Sequence, residues 1–219
     1  MQWPNIQQLI ATVEQPSGYS CELLKISDTG VLIAGLREWY PNIEVGNGSC
    51  YLRPSFYETR VFFEEEQDAD FIVFTFKKDD ELVGMVSYER DTDSSVLYGR
   101  VGAVARLHRG SRLGQNFPLL GEALGKAMNA GMIYGLATLS IPNVQATFDR
   151  LGWTLIGITP GFDKEQTAPG VIQRVYEAVY AKVLVADTDL LHPRAENLTP
   201  RVRALFELLY PGRIDESEA

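Results

Sequence analysis

Val104-Ala105-Arg106-Leu107-His108-Arg109-Gly110-Ser111-Arg112-Leu113-Gly114 lies between an alternating run and an amphipathic one. Before it, residues 96–107 alternate. Leu97, Gly99, Val101, Ala103, Ala105 and Leu107 fall on one face and Tyr98, Arg100, Val104 and Arg106 on the other, the period-two mark of a strand with one buried face. After it, Phe117, Leu120, Leu124, Ala127, Met128 and Gly131 recur at helical spacing, with Gly131 placed to end the helix beyond Asn129. A strand, a glycine turn and a helix in that order bring unpaired amides and the positive end of a helix dipole to a loop that an anion can approach closely. Arg109 and Arg112 add positive charge. The stretch reads as a phosphate cradle or, on these residues alone, as an ordinary tight strand-to-helix turn. Pro118 has no amide to donate and suits a first helical turn, so the regular helix is expected from near Asn116.

Upstream, residues 19–26 read as a strand, and Asp28 is placed to cap a helix reaching Tyr40, with Leu32, Leu36 and Trp39 on one face and Pro41 as its stop. Residues 46–54 are rich in Gly, Asn and Ser and read as a loop, and residues 57–63 suit either a strand or a short helix. A hairpin follows, 71–77 and 82–89 joined by Lys78-Asp79-Asp80-Glu81. Downstream, 133–141 is a continuous apolar run with the length of a strand covered on both faces, and Asn143 is placed to cap a short helix to Leu151 before Gly152. Residues 153–159 read as a strand, Pro160-Gly161-Phe162-Asp163 as a turn, and 172–184 as a long strand on its β-branched and aromatic content, though the same residues also draw a helical stripe. Thr199-Pro200 opens a final helix whose Val202, Leu205, Phe206 and Leu209 need a partner, either this domain or a second copy of the chain.

Composition narrows the classes. Of 219 residues, 45% are hydrophobic and 22% charged, ordinary for a globular protein, and nothing divides the chain into two domain-sized halves. A net charge of -9 opposes nucleic-acid binding and favours cationic or neutral partners. Cys21 and Cys50 lack the spacing of a zinc site or a disulfide framework, so no metal is expected. The opening Met1-Gln2-Trp3-Pro4-Asn5 is not a signal peptide, and no apolar run approaches roughly 18 residues, so the expected location is cytoplasmic and off the membrane.

With these residues in place, the central stretch resembles the GNAT acetyltransferases. Their signature is Arg or Gln, two residues, Gly, one residue, then Gly or Ala, and Arg109 and Gly114 match its outer positions. Arg112 stands where the family has Gly, and Arg106 where it commonly has Pro. A second match, Phe148-Asp149-Arg150-Leu151-Gly152-Trp153, resembles the family's Tyr-Glu-Lys-Leu-Gly-Phe segment, in the right order and at about the right distance. The resemblance covers residues 71–184. It implies an α/β (α+β) fold of three layers, α/β/α, whose mixed, mostly antiparallel sheet splays between its fourth and fifth strands. Residues 1–187 then form the acyltransferase domain, and 188–219 a C-terminal extension with a short helix.

The implied activity is direct transfer of an acyl group, acetyl above all, from acetyl-CoA or another acyl-CoA to a primary amine of a small molecule or a protein. The cofactor-binding residues are then Val104, Ala105, Arg106, Arg109, Gly110, Ser111, Arg112, Leu113, Gly114 and Gln115, joined by Asn143 and Phe148. Pantetheine would lie between the splayed strands and pair with the backbone of Val104 and Arg106. In-line positioning supplies much of the acceleration, and the site also needs a base for the ammonium and a donor for the thiolate. The family's thiolate acid is a tyrosine where this chain has Phe148, which leaves Tyr134 and Tyr176, with Tyr180 behind them, as substitutes. Glu89, Glu58 or a water chain could act as base, and His108, directly before Arg109, is a further candidate, although its slot in the family is commonly a structural aromatic. The alternatives are transfer of a longer acyl chain from acyl-CoA or an acyl carrier protein, and a non-catalytic acyl-CoA-binding module.

Overall fold

The computed structural model describes residues 1–63 and 69–215. In chain order its elements are α1 (Ile6–Ala11), β1 (Ser20–Leu23), α2 (Thr29–Trp39), α3 (Pro54–Arg60), β2 (Val61–Phe62), β3 (Phe71–Lys78), β4 (Glu81–Asp91), β5 (Val96–Val104), α4 (Leu113–Ala127), β6 (Met132–Thr138), α5 (Asn143–Arg150), β7 (Thr154–Ala168), β8 (Val171–Val183) and α6 (Pro200–Leu209). The strands make one sheet in the order β1-β3-β4-β5-β6-β8-β7, with β2 also pairing β3. Among the described residues β2 with β3 and β5 with β6 run parallel and the other strand pairs antiparallel, so the sheet is mixed and mostly antiparallel.

Helices cover both faces because successive strand residues point opposite ways. Ser87 of β4 faces the α2–α3 side, where its hydroxyl pairs with the Tyr51 hydroxyl at 2.6 Å, while the adjacent Tyr88 faces α4 and donates to the Phe117 carbonyl. Leu32, Leu36, Tyr51 and Tyr57 fill the first layer, and Leu113, Leu120, Leu124 and Ile133 the second, all buried. On the α4 side Glu122 accepts from Trp153 Nε1 at 2.8 Å and Lys182 Nζ at 2.9 Å, tying α4 to β8 and to the start of β7.

The β5–β6 pairing is short. It runs from Val96 with Met132 to Gly99 with Gly135 and then stops, because β5 continues along β4 while β6 continues along β8. The expected splay is present at these two strands. At its apex Tyr98 and Tyr134 stack in parallel at 4.5 Å on the α2–α3 side, and Phe148 of α5 lies over Gly135 on the other side.

Several local expectations are corrected. A bulge in the β4–β5 register resets the alternation of β5, which ends at Val104; Leu107 sits in a 3-10 turn (Arg106–His108) and is 96% exposed, not buried. Helix α4 begins at Leu113, not near Asn116, so Pro118 lies in its second turn, where its missing amide leaves the Gly114 carbonyl without its helical donor. Strand β6 alternates between buried and half-buried residues instead of being covered on both faces, and Leu139 and Ile141 beyond it are exposed. Asp28 precedes α2 but caps nothing with its side chain, which turns to Lys77 at 3.1 Å. Asn143 is the first residue of α5 and makes no side-chain cap. The turn expected at Pro160–Asp163 is a bulge inside β7. Residues 46–54 contain a 3-10 segment (Asn47–Leu52), and the ambiguous stretch after it is α3 followed by β2. Residues 172–184 do form a long strand, β8, and Thr199 does cap α6, whose Val202, Leu205 and Leu208 remain exposed.

Candidate active site

The cradle is built by two left-handed residues. Gly110 has φ 88°, and Arg112 has φ 69°, the conformation a glycine would take freely. An arginine there costs about 1 kcal/mol that a glycine would not. The turn is closed by His108 N to Ala105 O at 2.9 Å, Ser111 N to His108 O at 3.3 Å and Gln115 N to Arg112 O at 2.9 Å. Ser111 Oγ accepts from Leu113 N at 3.4 Å. The amides of Gly110 and Arg112 donate to no group among the described residues, and Gly114 is in the first turn of α4, where no helical acceptor exists. A side chain built at Gly110 or Gly114 would meet nothing within 4 Å, so both residues border open space.

Arg109 is not part of that open face. Its Nε donates to Val104 O at 3.2 Å, its Nη2 to Trp39 O at 2.8 Å, and its guanidinium lies 4.6 Å from the centre of the Tyr40 ring. It therefore binds the end of β5 to the C-terminus of α2 although its side chain is exposed, as those of Arg106 and Arg112 are. His108 is engaged as well, its Nδ1 3.0 Å from the Tyr19 hydroxyl.

In the splay, Ala105 N donates to Val83 O at 2.8 Å, which fixes the register so that Gly102 and Val104 turn their peptide groups away from β4 into the opening. Part of the Val104 carbonyl's capacity is taken by Arg109, and Arg106 lies in the 3-10 turn beyond the strand. Gly102 lacks a side chain where the Phe117 ring would stand 2.5 Å from it.

The candidate catalytic residues divide between the two faces. Glu89 and Tyr134 are on the α2–α3 face with Tyr98; Tyr176 is on the opposite face and 59% exposed, and Tyr180 packs beside Phe148 at 5.1 Å, also on that opposite face. Glu89 Oε2 is 3.2 Å from Arg100 Nη1. Burial, then the charge of Glu89, pushes the Tyr134 hydroxyl up, so it stays protonated. Phe148 is buried with its ring tip toward Gly135, so the family's tyrosine position is occupied by an apolar tip beside the splay. Asn143 is exposed at the first position of α5, and Glu58 lies in α3.

Residues not anticipated from the sequence complete this face. Asn47 donates to the Tyr98 hydroxyl at 3.2 Å and accepts from Arg100, while its own amide donates to Asp163 Oδ1 of β7 at 2.8 Å. Asn42 Nδ2 reaches Gln166 O at 3.2 Å, so the 42–47 segment and the β7–β8 arm clasp each other over the splay. Glu177 of β8 points to the same face, opposite Thr138 of β6. Burial first, then Asp163 and Glu165, push its carboxyl up to about 7.

A groove of about 630 Å³ between α1 and α4 lies on the other side of the sheet and shares no residue with the splay or the cradle. Among the described residues no cluster of His, Cys, Asp and Glu is arranged to hold a metal, and no helix is long and apolar enough to cross a membrane.

No protein-family model and no curated protein sequence matches the chain. Solved structures do. Mutant forms of the spermidine/spermine N-acetyltransferase SpeG from Vibrio cholerae align over 77% of this chain and 95% of theirs, with 11% identity and a TM-score of 0.61. IAA acetyltransferase from Bacillus cereus aligns over 76% and 99%, with 11% identity and a TM-score of 0.55. A dodecameric spermidine N-acetyltransferase from Vibrio cholerae aligns over 77% and 95%, with 14% identity and a TM-score of 0.58. The splayed sheet, the left-handed turn into α4 and these structural neighbours together identify the fold of this chain as that of the GNAT acetyltransferases.

Proposed function

We propose that the protein is an acyl-CoA-dependent N-acyltransferase that moves an acetyl group to a primary amine. The observation that carries this reading is the pairing of an open amide turn, Gly110 to Gly114, with a splay whose edge peptides at Gly102 and Val104 face the opening. The turn suits a pyrophosphate, since its glycines leave room and its amides and the α4 dipole supply donors. The splay suits an extended amide-bearing arm laid beside β5 as an added strand. Acyl-CoA brings the activated thioester, and the chain supplies in-line placement, peptide donors for the developing oxyanion and proton transfer.

The acceptor would enter on the α2–α3 face, where Glu89, Asp163, Glu165 and Glu177 make a negative wall. A cationic amine is favoured there, in keeping with the polyamine named for two of the structural neighbours. Tyr134, held protonated by burial, is our candidate donor to the departing thiolate in the absence of a tyrosine at Phe148. That apolar tip also motivates a second reading, a module that binds acyl-CoA without turnover.

Thermal unfolding with and without acetyl-CoA tests the cofactor. A ligand at about 100 times its Kd stabilises by about 2.7 kcal/mol, which for a chain of this size raises Tm by about 5–10 °C. Gly114→Asp is the control. Its side chain has space in the folded protein and suits a helix N-terminus, yet it sets a negative charge in the cradle, so it should keep its own Tm and lose the shift. Absence of a shift with acetyl-CoA, longer acyl-CoAs and free coenzyme A would refute the reading; a shift without thiol release on any amine would favour the non-catalytic module.

A further inference from the structure

Among the described residues, Glu177 is the acid of its cluster with a buried carboxylate oxygen that no donor reaches. Glu165 is committed, Oε1 to the Thr138 hydroxyl at 3.2 Å and Oε2 to the Ser140 hydroxyl at 3.4 Å. Asp163 Oδ1 accepts from Asn47 N at 2.8 Å and from Lys164 N at 2.7 Å. Glu89 holds Arg100. Glu177 Oε2 is shielded from solvent and has no hydrogen-bond partner among the described residues. Its strand places it on the acceptor face. It pairs with Thr138 at the end of β6, one of the two splayed strands, and with Thr159 of β7, and its charge is felt at Tyr98 at the splay apex. Tyr176, next along the chain, points to the other face.

Resting on the acyltransferase reading above, we propose that Glu177 is the catalytic base that takes the proton from the acceptor ammonium. The ammonium gives one proton to the Glu177 carboxylate, and the freed nitrogen lone pair forms the C–N bond at the thioester carbonyl. Collapse breaks the C–S bond, Tyr134 gives its hydroxyl proton to the thiolate and takes up the second nitrogen proton in its place, and Glu177 returns its proton to water. The groups around it explain why a proton is welcome. Asp163 and Glu165 of β7 repel a third negative charge, Tyr98 of β5 brings none, and burial withholds water, so the carboxyl rests at about 7, where a base works best near neutral pH. Glu89 has Arg100 beside it and lacks that environment.

The experiment compares wild type with Glu177→Gln, using acetyl-CoA and 1,4-diaminobutane, a dication suited to a face with several carboxylates, and reading thiol release against pH. Wild-type kcat/KM should fall below about pH 7, and the variant should lose about 100-fold or more at neutral pH together with that acidic limb. The deficit should shrink at high pH, where the amine is already neutral. The acetyl-CoA thermal shift should be the same in both proteins, which also reports that the variant is folded. A variant within about threefold of wild type, or one that keeps the acidic limb, overturns the assignment. An intact shift with no thiol release from wild type would refute the amine acceptor and Glu177 with it, whereas a missing shift would refute the cofactor reading itself. Without any acceptor, the Glu177 side-chain carboxyl carbon, assigned by its loss in the variant, should titrate near 7 by NMR; titration in the ordinary glutamate range would overturn the proposal.

Discussion

Replacing Arg109 by Ala should cost folding stability more directly than it costs coenzyme binding. The guanidinium makes two hydrogen bonds to main-chain carbonyls, Val104 O at 3.2 Å and Trp39 O at 2.8 Å, and stacks on Tyr40 at 4.6 Å. At a partly exposed site each bond is worth about 0.5–1 kcal/mol. The cation at the C-terminus of α2 adds about 0.3–1, and the ring contact about 0.5. The sum is about 2–3.5 kcal/mol, or a fall in Tm of about 4–14 °C at this chain length. Arg109→Lys keeps the charge but not the fork that spans two carbonyls, so it should recover only part of the loss, about 1 kcal/mol. Urea unfolding of the three proteins without ligand measures this. If Arg109→Ala stays within about 0.5 kcal/mol of wild type while its acetyl-CoA shift disappears, and Lys restores that shift, the side chain is a counter-charge for phosphate and the clamp argument fails.

Glu122→Ala should destabilise by about 3 kcal/mol, because Trp153 Nε1 and Lys182 Nζ both lose their buried acceptor; urea unfolding within about 1 kcal/mol of wild type would show that the network relaxes. Glu177 also predicts how stability varies with pH. Its folded value of about 7 exceeds the ordinary 4.5, so the folded state binds more protons between those values. Its contribution is fully present below about 4.5 and is lost as pH rises through about 7, so Glu177→Gln should gain on wild type between about pH 5 and pH 8. Discounted for its half-exposed position, the gain is about 1 kcal/mol; a pH-independent difference between the two proteins would contradict it.

What was legible in the sequence is what is local. The glycines from Gly110 to Gly114, the stripe from Phe117 to Met128 and the hairpin at Asp79-Asp80 each declare themselves within one element, and they place the cradle and half the sheet. What escaped depends on register. The alternation read through Leu107 fails because a bulge opposite Ser87 and Tyr88 shifts the parity of β5, and a bulge is set by the partner strand. Pro118 was read as a boundary because its cost is local, but the buried packing of Leu113, Leu120 and Leu124 carries the helix through it. Arg109 was read as charge for a ligand because nothing nearby in sequence reveals that Trp39 O lies within its reach. Glu177 was missed although a trace of it was there, a lone acid in Val175-Tyr176-Glu177-Ala178-Val179. What gives that acid meaning is the company of Asp163, Glu165 and Thr138, which only the folded sheet assembles.

The clasp between the 42–47 segment and the β7–β8 arm also bears on how the molecule comes into being. Asn47 to Asp163 and Asn42 to Gln166 span 116 and 124 residues, whereas the turn from Val104 into α4 closes within a dozen or so. Loops that long close late and at greater entropic cost. On a ribosome the turn from Val104 into α4 can therefore form while the carboxylates of β7 and β8 are still being translated. A chain cut off before β7 would retain residues 104–114 but lack Asp163, Glu165 and Glu177, so the side proposed for the coenzyme would stand without the face proposed for the acceptor.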